Sequence, residues 1–353
     1  MSASLCGQIL VVGLAGTTLA AEEARALARG ERGGVVLFRR NIVREDVTQV
    51  ASLTAAVRAA SPDAVVAIDQ EGGRVVRLGP PALALPPMRK VGDLDDVAFA
   101  ERLAAAQARE LAALGITMSF APVADIHTRA ENPIIGDRAF AETPAKVATF
   151  ARAWASGLAR GGVLSCAKHF PGHGDTTVDS HLALPRVERD AAGLEAIEIA
   201  AFRALARDVD SMMSAHVVYP ALDAQPATLS HAICTDLLRT KLGFEGVLFS
   251  DDLEMKAIQL PVGEAAVWAV TAGCDSILVC SRADLAEEAH VALVHEHEKS
   301  AAFRARIEEA HGRMMKMRRR FPSTAVLANE LPSVFAASNA IATELATRLG
   351  GAA

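Results

Sequence analysis

Eight short apolar runs, separated by longer helix-like segments, recur along this chain, and their alternation restricts the possible fold more than any other feature. The runs are Gln8–Leu14, Gly34–Phe38, Ala64–Asp69, Thr117–Val123, Val163–Lys168, Ser211–His216, Gly246–Asp251 and Ser276–Cys280. Continuous apolar stretches of this kind are typical of strands buried on both faces of a parallel sheet. Parallel strands need crossover connections, which the helical segments can supply.

The segments between the runs carry helix-end signals. Thr143 precedes a proline at the first helical position, Asp93 precedes a long alanine-rich segment, and Gly30 follows another helical segment. Eight such units favour a single (β/α)8 barrel of the TIM type over an open doubly wound sheet. We expect irregular first strands and extra C-terminal helices, with a barrel over residues 1–321 and a tail over 322–353 whose helix packs on the barrel.

Composition excludes several classes of protein. The net charge is −6, with 51% hydrophobic and 22% charged residues, so we expect a globular protein without a nucleic-acid or membrane partner. No apolar run approaches the ~20 residues that span a bilayer, and the N-terminus lacks the charged start of a signal peptide. The five scattered cysteines suggest reduced thiols. We therefore expect a cytoplasmic protein. We also expect a monomer that needs no metal or cofactor.

Polar residues interrupt the runs where strands are predicted to end, which is the face where barrel active sites lie. Asp69, Glu71, Arg74 and Arg77 follow the third run, and Asp125 and then Arg138 follow the fourth. Lys168 and His169 end the fifth run, His216 the sixth and Asp251 the seventh. Any one of these residues could be a plain loop entry, but their accumulation favours a functional site.

The stretch from Lys168 to His181 is the richest of these strand ends. Its three histidines and two aspartates could form a zinc or iron site, a surface loop with capping aspartates, or an acid–base device. Proline and glycine between His169 and His173 disfavour a helical metal-ligand pair. Asp179 lies two residues before His181, a spacing that lets a carboxylate orient an imidazole for proton transfer.

The pair Asp251-Asp252 ends the seventh run. Alternation along a strand should send the two side chains to opposite faces, so only one of them can face the barrel mouth. An ionised Asp251 there could attack an anomeric carbon and form a covalent glycosyl intermediate. Asp252 could orient it or cap the following turn.

Seven segments in order carry a resemblance to a known family: GGVVLFRRN, AIDQEGGRVVRL, SFAPVADI, NPIIGDRAF, KHFPGHGDTTVDSH, SAHVVYP and GVLFSDDLEM. Over about residues 8–280 the chain resembles glycoside hydrolase family 3, specifically the single-domain bacterial β-N-acetylhexosaminidases of peptidoglycan recycling. The fifth segment is very specific to that group. The compact stretch after Met255 and the tail after residue 322 have no recognised counterpart.

The resemblance implies roles for eight residues. Asp251 matches the nucleophile, His181 the acid/base and Asp179 its partner, while Asp69, Arg77, Arg138, Lys168 and His169 match positions that bind sugar hydroxyls. The implied activity is exo-acting, retaining removal of terminal N-acetylglucosamine from cell-wall fragments that carry 1,6-anhydro-N-acetylmuramic acid.

Several points stay open. A histidine acid/base becomes neutral after giving up its proton, so phosphate could replace water as the acceptor. A metal-dependent hydrolase, substrate-assisted cleavage and a non-catalytic sugar-binding barrel are the alternatives. We expect His173 to shape its loop and Glu71 and Arg74 to make structural pairs, whereas His216 could equally reach substrate or fill a polar layer. The glycines near the acid/base pair suggest a loop that moves during turnover.

Overall fold

The computed structural model of the protein describes residues 2–177 and 184–350, and within them the eight predicted runs form one closed parallel barrel. The barrel strands are β1 Leu10–Gly13, β2 Gly34–Leu37, β3 Val65–Ile68, β4 Met118–Ser119, β5 Leu164–Phe170, β6 Ser211–Ser214, β9 Val247–Asp252 and β10 Ser276–Val279. β10 pairs back to β1 and closes the barrel. Strands β2, β3, β5 and β10 are buried along their whole length. Burial on both faces explains why β2 and β3 are apolar without alternation.

The register departs from regularity at β5 and β9, and not at the first strands, where we expected irregularity. β1, β2 and β3 pair residue by residue, whereas shifts occur where β5 meets β6 and where β9 meets β10. β4 is shorter than predicted. Beyond it the chain still runs beside β5, with the Lys168 amide donating to the Pro122 carbonyl at 3.1 Å, but Pro122 has no N–H to return.

Helices surround the barrel on its outside. They are α1 Ser2–Gly7, α2 Ala21–Ala28, α3 Val47–Ala60, α4 Met88–Asp93, α5 Val97–Ala113, α6 Pro144–Arg160, α7 Ala191–Ala196, α8 Glu198–Leu205, α9 Val262–Ala272, α10 Ala283–Lys299, α11 Ala301–Arg318, α12 Leu331–Ala336 and α13 Asn339–Arg348. Short 3₁₀ turns span Arg39–Asn41, Gly136–Arg138 and Ala227–Leu229, and Ala232–Lys241 is π-helical. No helix among the described residues is long and apolar enough to cross a membrane.

Local sequence explains most helix ends. Thr143 precedes α6 and Pro144 occupies its first turn, as predicted. The cap of α5 is Asp96, whose side chain accepts from the Phe99 amide, and not Asp93, because residues 88–93 form a separate short helix. The residues after Asp190 form two short helices, α7 and α8, which are separated at Ile197.

The chain after residue 322 packs against α5 through α12 and α13. Leu331, Phe335 and Leu345 are its buried anchors, and Arg348 donates to Asp96 at 2.7 Å. Whether residues 1–321 form a unit apart from this tail stays a prediction.

Candidate active site

A cavity of about 210 Å³ opens at the carboxyl ends of the barrel strands, where the sequence predicted the polar cluster. Acidic, basic and apolar residues line it together, and they come from β2, β5, β6, β9 and β10 and from the connections that follow the strands. The lining includes Phe38, Asp69, Glu71, Arg77, Arg138, Lys168, His169, Met213, Asp251, Asp252, Met255 and Cys280. The cavity is smaller than the ~300–1,000 Å³ of most ligand pockets, so it suits a single small unit.

A buried network of carboxylates and cations forms one wall of this cavity. Lys168 Nζ lies 2.7 Å from Asp69 Oδ1 and 2.6 Å from Glu71 Oε1. Arg77 donates to Asp69 Oδ2 at 3.0 Å. Arg138 forms a bidentate pair with Glu71, at 2.8 and 2.9 Å. Four of the five predicted sugar-binding residues therefore lie together. Glu71 links two of them, Lys168 and Arg138, through its carboxylate.

The charges in this network stabilise one another. Burial alone would raise the pKa of Glu71, but Arg138 and Lys168 outweigh burial and the pKa is lowered far below its usual value. Burial lowers the pKa of Lys168, yet Asp69 and Glu71 reverse that effect and leave it raised. Glu71, Lys168 and Arg138 are therefore ionised at neutral pH. This wall of the cavity presents fixed charges and hydrogen-bond donors.

Arg77 is positioned by a connection that the sequence did not single out. Gln70 Oε1 accepts from the backbone amides of Arg77 and Leu78 at 2.8 and 3.1 Å. The Gln70 carbonyl accepts from Gln107 on α5 at 2.9 Å. The Arg77 guanidinium carbon also lies 5.6 Å from the centroid of the Phe38 ring. Nothing in the local pattern around Gln70 distinguishes this role from that of a surface glutamine.

Asp251 and Asp252 both line the cavity, although alternation along the strand predicts that only one of them faces the barrel mouth. The reason is the register shift between β9 and β10, which breaks strict alternation at the end of β9. Asp251 Oδ1 accepts from the Asp252 amide at 2.8 Å. Asp252 Oδ1 accepts from the amides of Glu254 and Cys280 at 3.1 and 3.2 Å, so it caps the following turn.

The two aspartates differ in their electrostatics. Burial would raise the pKa of Asp251, but the nearby imidazoles of His216 and His169, together with Lys168, leave it lowered. Burial raises the pKa of Asp252 to about 7, and the charges of Glu254 and Asp251 act in the same direction. Asp251 is thus an anion over a wide pH range, which a nucleophilic carboxylate requires.

Asp125 organises the connection after β5. It is fully buried and accepts from His169 Nδ1 at 2.7 Å, from the His169 amide and from the His173 amide at 2.7 Å. His173 is buried and lies 2.8 Å from Thr176 Oγ1, as expected for a residue that shapes its loop. Burial lowers the pKa of His173 to about 4, and the neighbouring His169 adds to the effect. His173 is therefore neutral under physiological conditions.

The connection after β5 needs glycine at two positions, one for its backbone conformation and one because another backbone segment lies very close. Gly172 has φ of +141°, and a Cβ at Gly174 would overlap the carbonyl oxygen of Ile126. Asn132 donates to the carbonyls of His173 and Gly174 at 2.9 and 3.0 Å. Asn132 was missed from sequence, although its place before Pro133 is a turn signal.

The predicted acid/base pair, Asp179 and His181, lies outside the described residues. The chain on either side of it is anchored: Arg189 donates to Asp175 at 3.1 Å, and Arg129 to the Asp175 carbonyl at 3.1 Å. A short antiparallel pair that the sequence did not predict, β7 Val218–Tyr219 and β8 Asp223–Pro226, adds a further support. The Tyr219 hydroxyl donates to the Gly172 carbonyl at 2.7 Å.

Arg74, another polar residue near the cavity, makes contacts that hold the backbone. Arg74 donates to the carbonyls of the 133–135 turn and lies 4.0 Å from Asp137, so Glu71 and Arg74 both make structural contacts but not with each other. Within residues 2–177 and 184–350, no group of three or more histidine, cysteine or acidic side chains could bind a metal ion. The five cysteines are all buried and unpaired in disulfides.

A charged cavity at the carboxyl end of a closed parallel barrel is the arrangement found in TIM-barrel enzymes. The family described as "Glycosyl hydrolase family 3 N terminal domain" matches residues 5–317. The chain is 42% identical to a beta-hexosaminidase of Neisseria meningitidis serogroup C over 291 residues, which cover 79% of this chain and 80% of that protein. It is also 42% identical to a beta-hexosaminidase of Pseudomonas aeruginosa over 289 residues, or 80% of this chain and 86% of the relative.

A solved structure gives the same answer. NagZ of Neisseria gonorrhoeae, crystallised in complex with N-trifluoroacetyl-D-glucosamine, superposes with a TM-score of 0.82 at 36% identity and covers 96% of this chain and 98% of its own. The chain belongs to glycoside hydrolase family 3, and it is a glycoside hydrolase. The barrel fold and the family expected from the sequence are both confirmed.

Proposed function

We propose that this enzyme removes a terminal β-linked N-acetylglucosamine unit with retention of configuration, through a covalent intermediate on Asp251. The observation that carries the proposal is the site of Asp251: an ionised carboxylate in a small cavity, opposite a wall of fixed charges. The relatives support the sugar. Two are named beta-hexosaminidases, and the gonococcal structure is a complex with an N-acylated glucosamine.

In the first step Asp251 attacks the anomeric carbon while an acid protonates the departing glycosidic oxygen. We assign the acid to His181, oriented by Asp179, on the family resemblance. In the second step the neutral imidazole takes a proton from water, which attacks the anomeric carbon and releases Asp251. Retention follows from the two displacements.

The charged wall accounts for sugar binding. Asp69 can accept from hydroxyl groups, and Lys168, with two of its three N–H bonds directed at carboxylates, keeps one donor for substrate. Arg77, Arg138 and His169 complete the set that we assign to the first subsite. Because the donors are already held by Asp69, Glu71 and Asp125, they need little reorganisation as charge develops at the anomeric centre.

The small cavity favours exo action, since it admits one unit and not a chain. We propose cell-wall fragments with N-acetylglucosamine linked to 1,6-anhydro-N-acetylmuramic acid as the substrate, on the resemblance to recycling enzymes. A cytoplasmic location is consistent with the buried free thiols, and we propose that the enzyme acts as a monomer.

Water is the proposed acceptor. Within the described part of the cavity, Arg77, Arg138 and Lys168 are paired with Asp69 and Glu71, and Asp251 adds a further negative charge. No described cation is therefore left uncompensated to attract phosphate. Product analysis with and without phosphate decides the point: sugar 1-phosphate as the main product would replace hydrolysis by phosphorolysis.

A single experiment tests the mechanism. Incubation with a fluorinated N-acetylglucosaminyl fluoride should leave a covalent sugar on the peptide that contains Asp251, detected by mass spectrometry. Asp252→Asn is the matched control, and it should still be labelled at Asp251. Release of nitrophenol from an N-acetylglucosaminide without any labelled Asp251 would refute the covalent mechanism and favour substrate-assisted cleavage.

A further inference from the structure

His216 lies directly behind the strand end that carries Asp251. It follows β6, is 1% exposed, and its Nε2 lies 3.0 Å from the backbone carbonyl oxygen of Asp252. Its Nδ1 lies 2.8 Å from Thr228 Oγ1. The imidazole therefore bridges the connection after β6 to the last residue of β9.

The contact with the Asp252 carbonyl determines that His216 Nε2 is protonated. A carbonyl oxygen can only accept, so Nε2 carries hydrogen and donates to Asp252. The Thr228 hydroxyl is fully buried, lies 2.8 Å from Nδ1 and donates to the Ala215 carbonyl at 3.1 Å. The ring is thus bound on both nitrogens, and its orientation is determined by the fold.

The hydrogen bond from His216 affects Asp251 through Asp252, the residue between them. The Asp252 amide donates to Asp251 Oδ1 at 2.8 Å, and the Asp252 carboxylate accepts from the amide of Cys280, which follows the neighbouring strand β10. The adjacent Leu253 amide donates to the Leu278 carbonyl at 3.1 Å. His216 supplies the contact to the Asp252 carbonyl, at a point where the β9–β10 register shift interrupts the regular ladder.

We infer that His216 is a positioning residue for the Asp251 carboxylate, acting through the hydrogen bond from Nε2 to the Asp252 carbonyl. The inference rests on the proposed role of Asp251 as nucleophile. It resolves the choice left by the sequence: His216 neither binds the substrate nor merely fills space, but fixes the direction from which Asp251 attacks. Small errors in that direction are costly, since a misplacement of ~1 Å can reduce a rate about 100-fold.

The test measures the covalent step alone. Fluoride leaves with little protonation, so the rate of labelling by the fluorinated glycosyl fluoride depends on the nucleophile and much less on His181. His216→Leu should slow labelling by roughly 10–100-fold at saturating reagent, with a nearly unchanged concentration for half-maximal rate. His216→Gln, whose amide can still donate toward Asp252, should recover most of the rate.

His290→Leu is the matched control. His290 is also buried, at 5% exposed, and its Nε2 lies 2.8 Å from the Ala3 carbonyl, outside the cavity lining. Its loss should lower the melting temperature without slowing the labelling. If His216→Leu does not fold, His216→Asn replaces it, because the shorter amide cannot reach Asp252, and it should label more slowly than His216→Gln.

Two outcomes are distinguishable. Labelling of Asp251 at the wild-type rate in folded His216→Leu or His216→Asn overturns this inference and leaves the proposed function intact. Absence of label on Asp251 in the wild-type enzyme refutes the proposed nucleophile and this inference with it.

Discussion

Lys168 Nζ lies 2.6 Å from Glu71 Oε1, and the two side chains are only 4% and 1% exposed. Because Glu71 also binds Arg138 through both carboxylate oxygens, this one buried acid positions two of the cations proposed to bind the sugar. Glu71 thus contributes to the site without being assigned to contact the substrate.

Glu71→Gln should destabilise the protein and weaken substrate binding. The amide is neutral, so Lys168 and Arg138 lose most of their buried counter-charge, and breaking a buried pair in this way costs about 3–5 kcal/mol. Thermal melting should show the loss, and kinetics should show a raised KM. Glu142→Gln is the control: Glu142 pairs with Arg89 at the surface, and its loss should change neither quantity measurably. An unchanged KM in folded Glu71→Gln would contradict the positioning role.

Asp252→Asn should become more stabilising, relative to the wild type, as pH rises. The pKa of Asp252 is raised from 3.8 to about 7 in the fold, so the folded state keeps a proton that the unfolded chain has lost. That stabilisation is complete below pH ~4 and is lost as pH rises toward 7, whereas the asparagine variant has no such dependence. Melting temperatures at pH 4, 5.5, 7 and 8 should show a difference that grows and then levels off. A constant difference would mean that Asp252 is not perturbed.

The sequence predicted the barrel well because its signals are local. All eight apolar runs became strands, because each run can be recognised from its own residues without knowledge of its partner strands. The predicted ends of the strands were less accurate. Thr117–Val123 forms only a two-residue strand because Pro122 cannot donate to the ladder, and the paired register that brings Asp251 and Asp252 to one cavity depends on a neighbouring strand.

The sequence predicted which residues belong to the candidate site, but not the hydrogen bonds that support them. Charge at strand ends made Asp69, Arg77, Arg138 and Lys168 candidates, and the family resemblance separated them from the other polar strand ends. The support from Glu71, Gln70 and Asn132 was not visible, because their partners lie 67, 7 and 41 residues away along the chain. Such contacts exist only once the barrel has closed.

Asp125→Asn should impair the site through His169. Asp125 accepts from the imidazole of His169 and from two backbone amides, and an asparagine can present only one oxygen to these donors. Leaving a buried donor unsatisfied costs about 1–3 kcal/mol. We expect a lower melting temperature and a raised KM for nitrophenyl N-acetylglucosaminide. Asp137→Asn provides the comparison. Asp137 is half-exposed and lies near Arg74, so this variant should behave like the wild type. Equal KM values for the two variants would remove Asp125 from the site.

His181→Ala should affect substrates according to their leaving groups. A general acid contributes about 10²–10⁴-fold where the departing oxygen is a poor leaving group, as in a disaccharide, and much less for a nitrophenol. We therefore expect a large loss of kcat/KM on the disaccharide and a smaller loss of the glycosylation rate on the nitrophenyl substrate. Asp179→Ala should show the same pattern in weaker form, because it removes only the group that orients the imidazole.

Asp251→Asn gives the contrasting result for the same pair of substrates. Loss of the nucleophile should abolish turnover of both, whatever the leaving group, while the melting temperature shows that the fold is retained. If His181→Ala lowered kcat/KM equally for both substrates, proton donation would not be its role, since kcat/KM reports formation of the covalent intermediate and a nitrophenolate departs without help. The ratio of the two losses, compared between His181→Ala and Asp251→Asn, therefore separates acid catalysis from nucleophilic attack within one set of measurements.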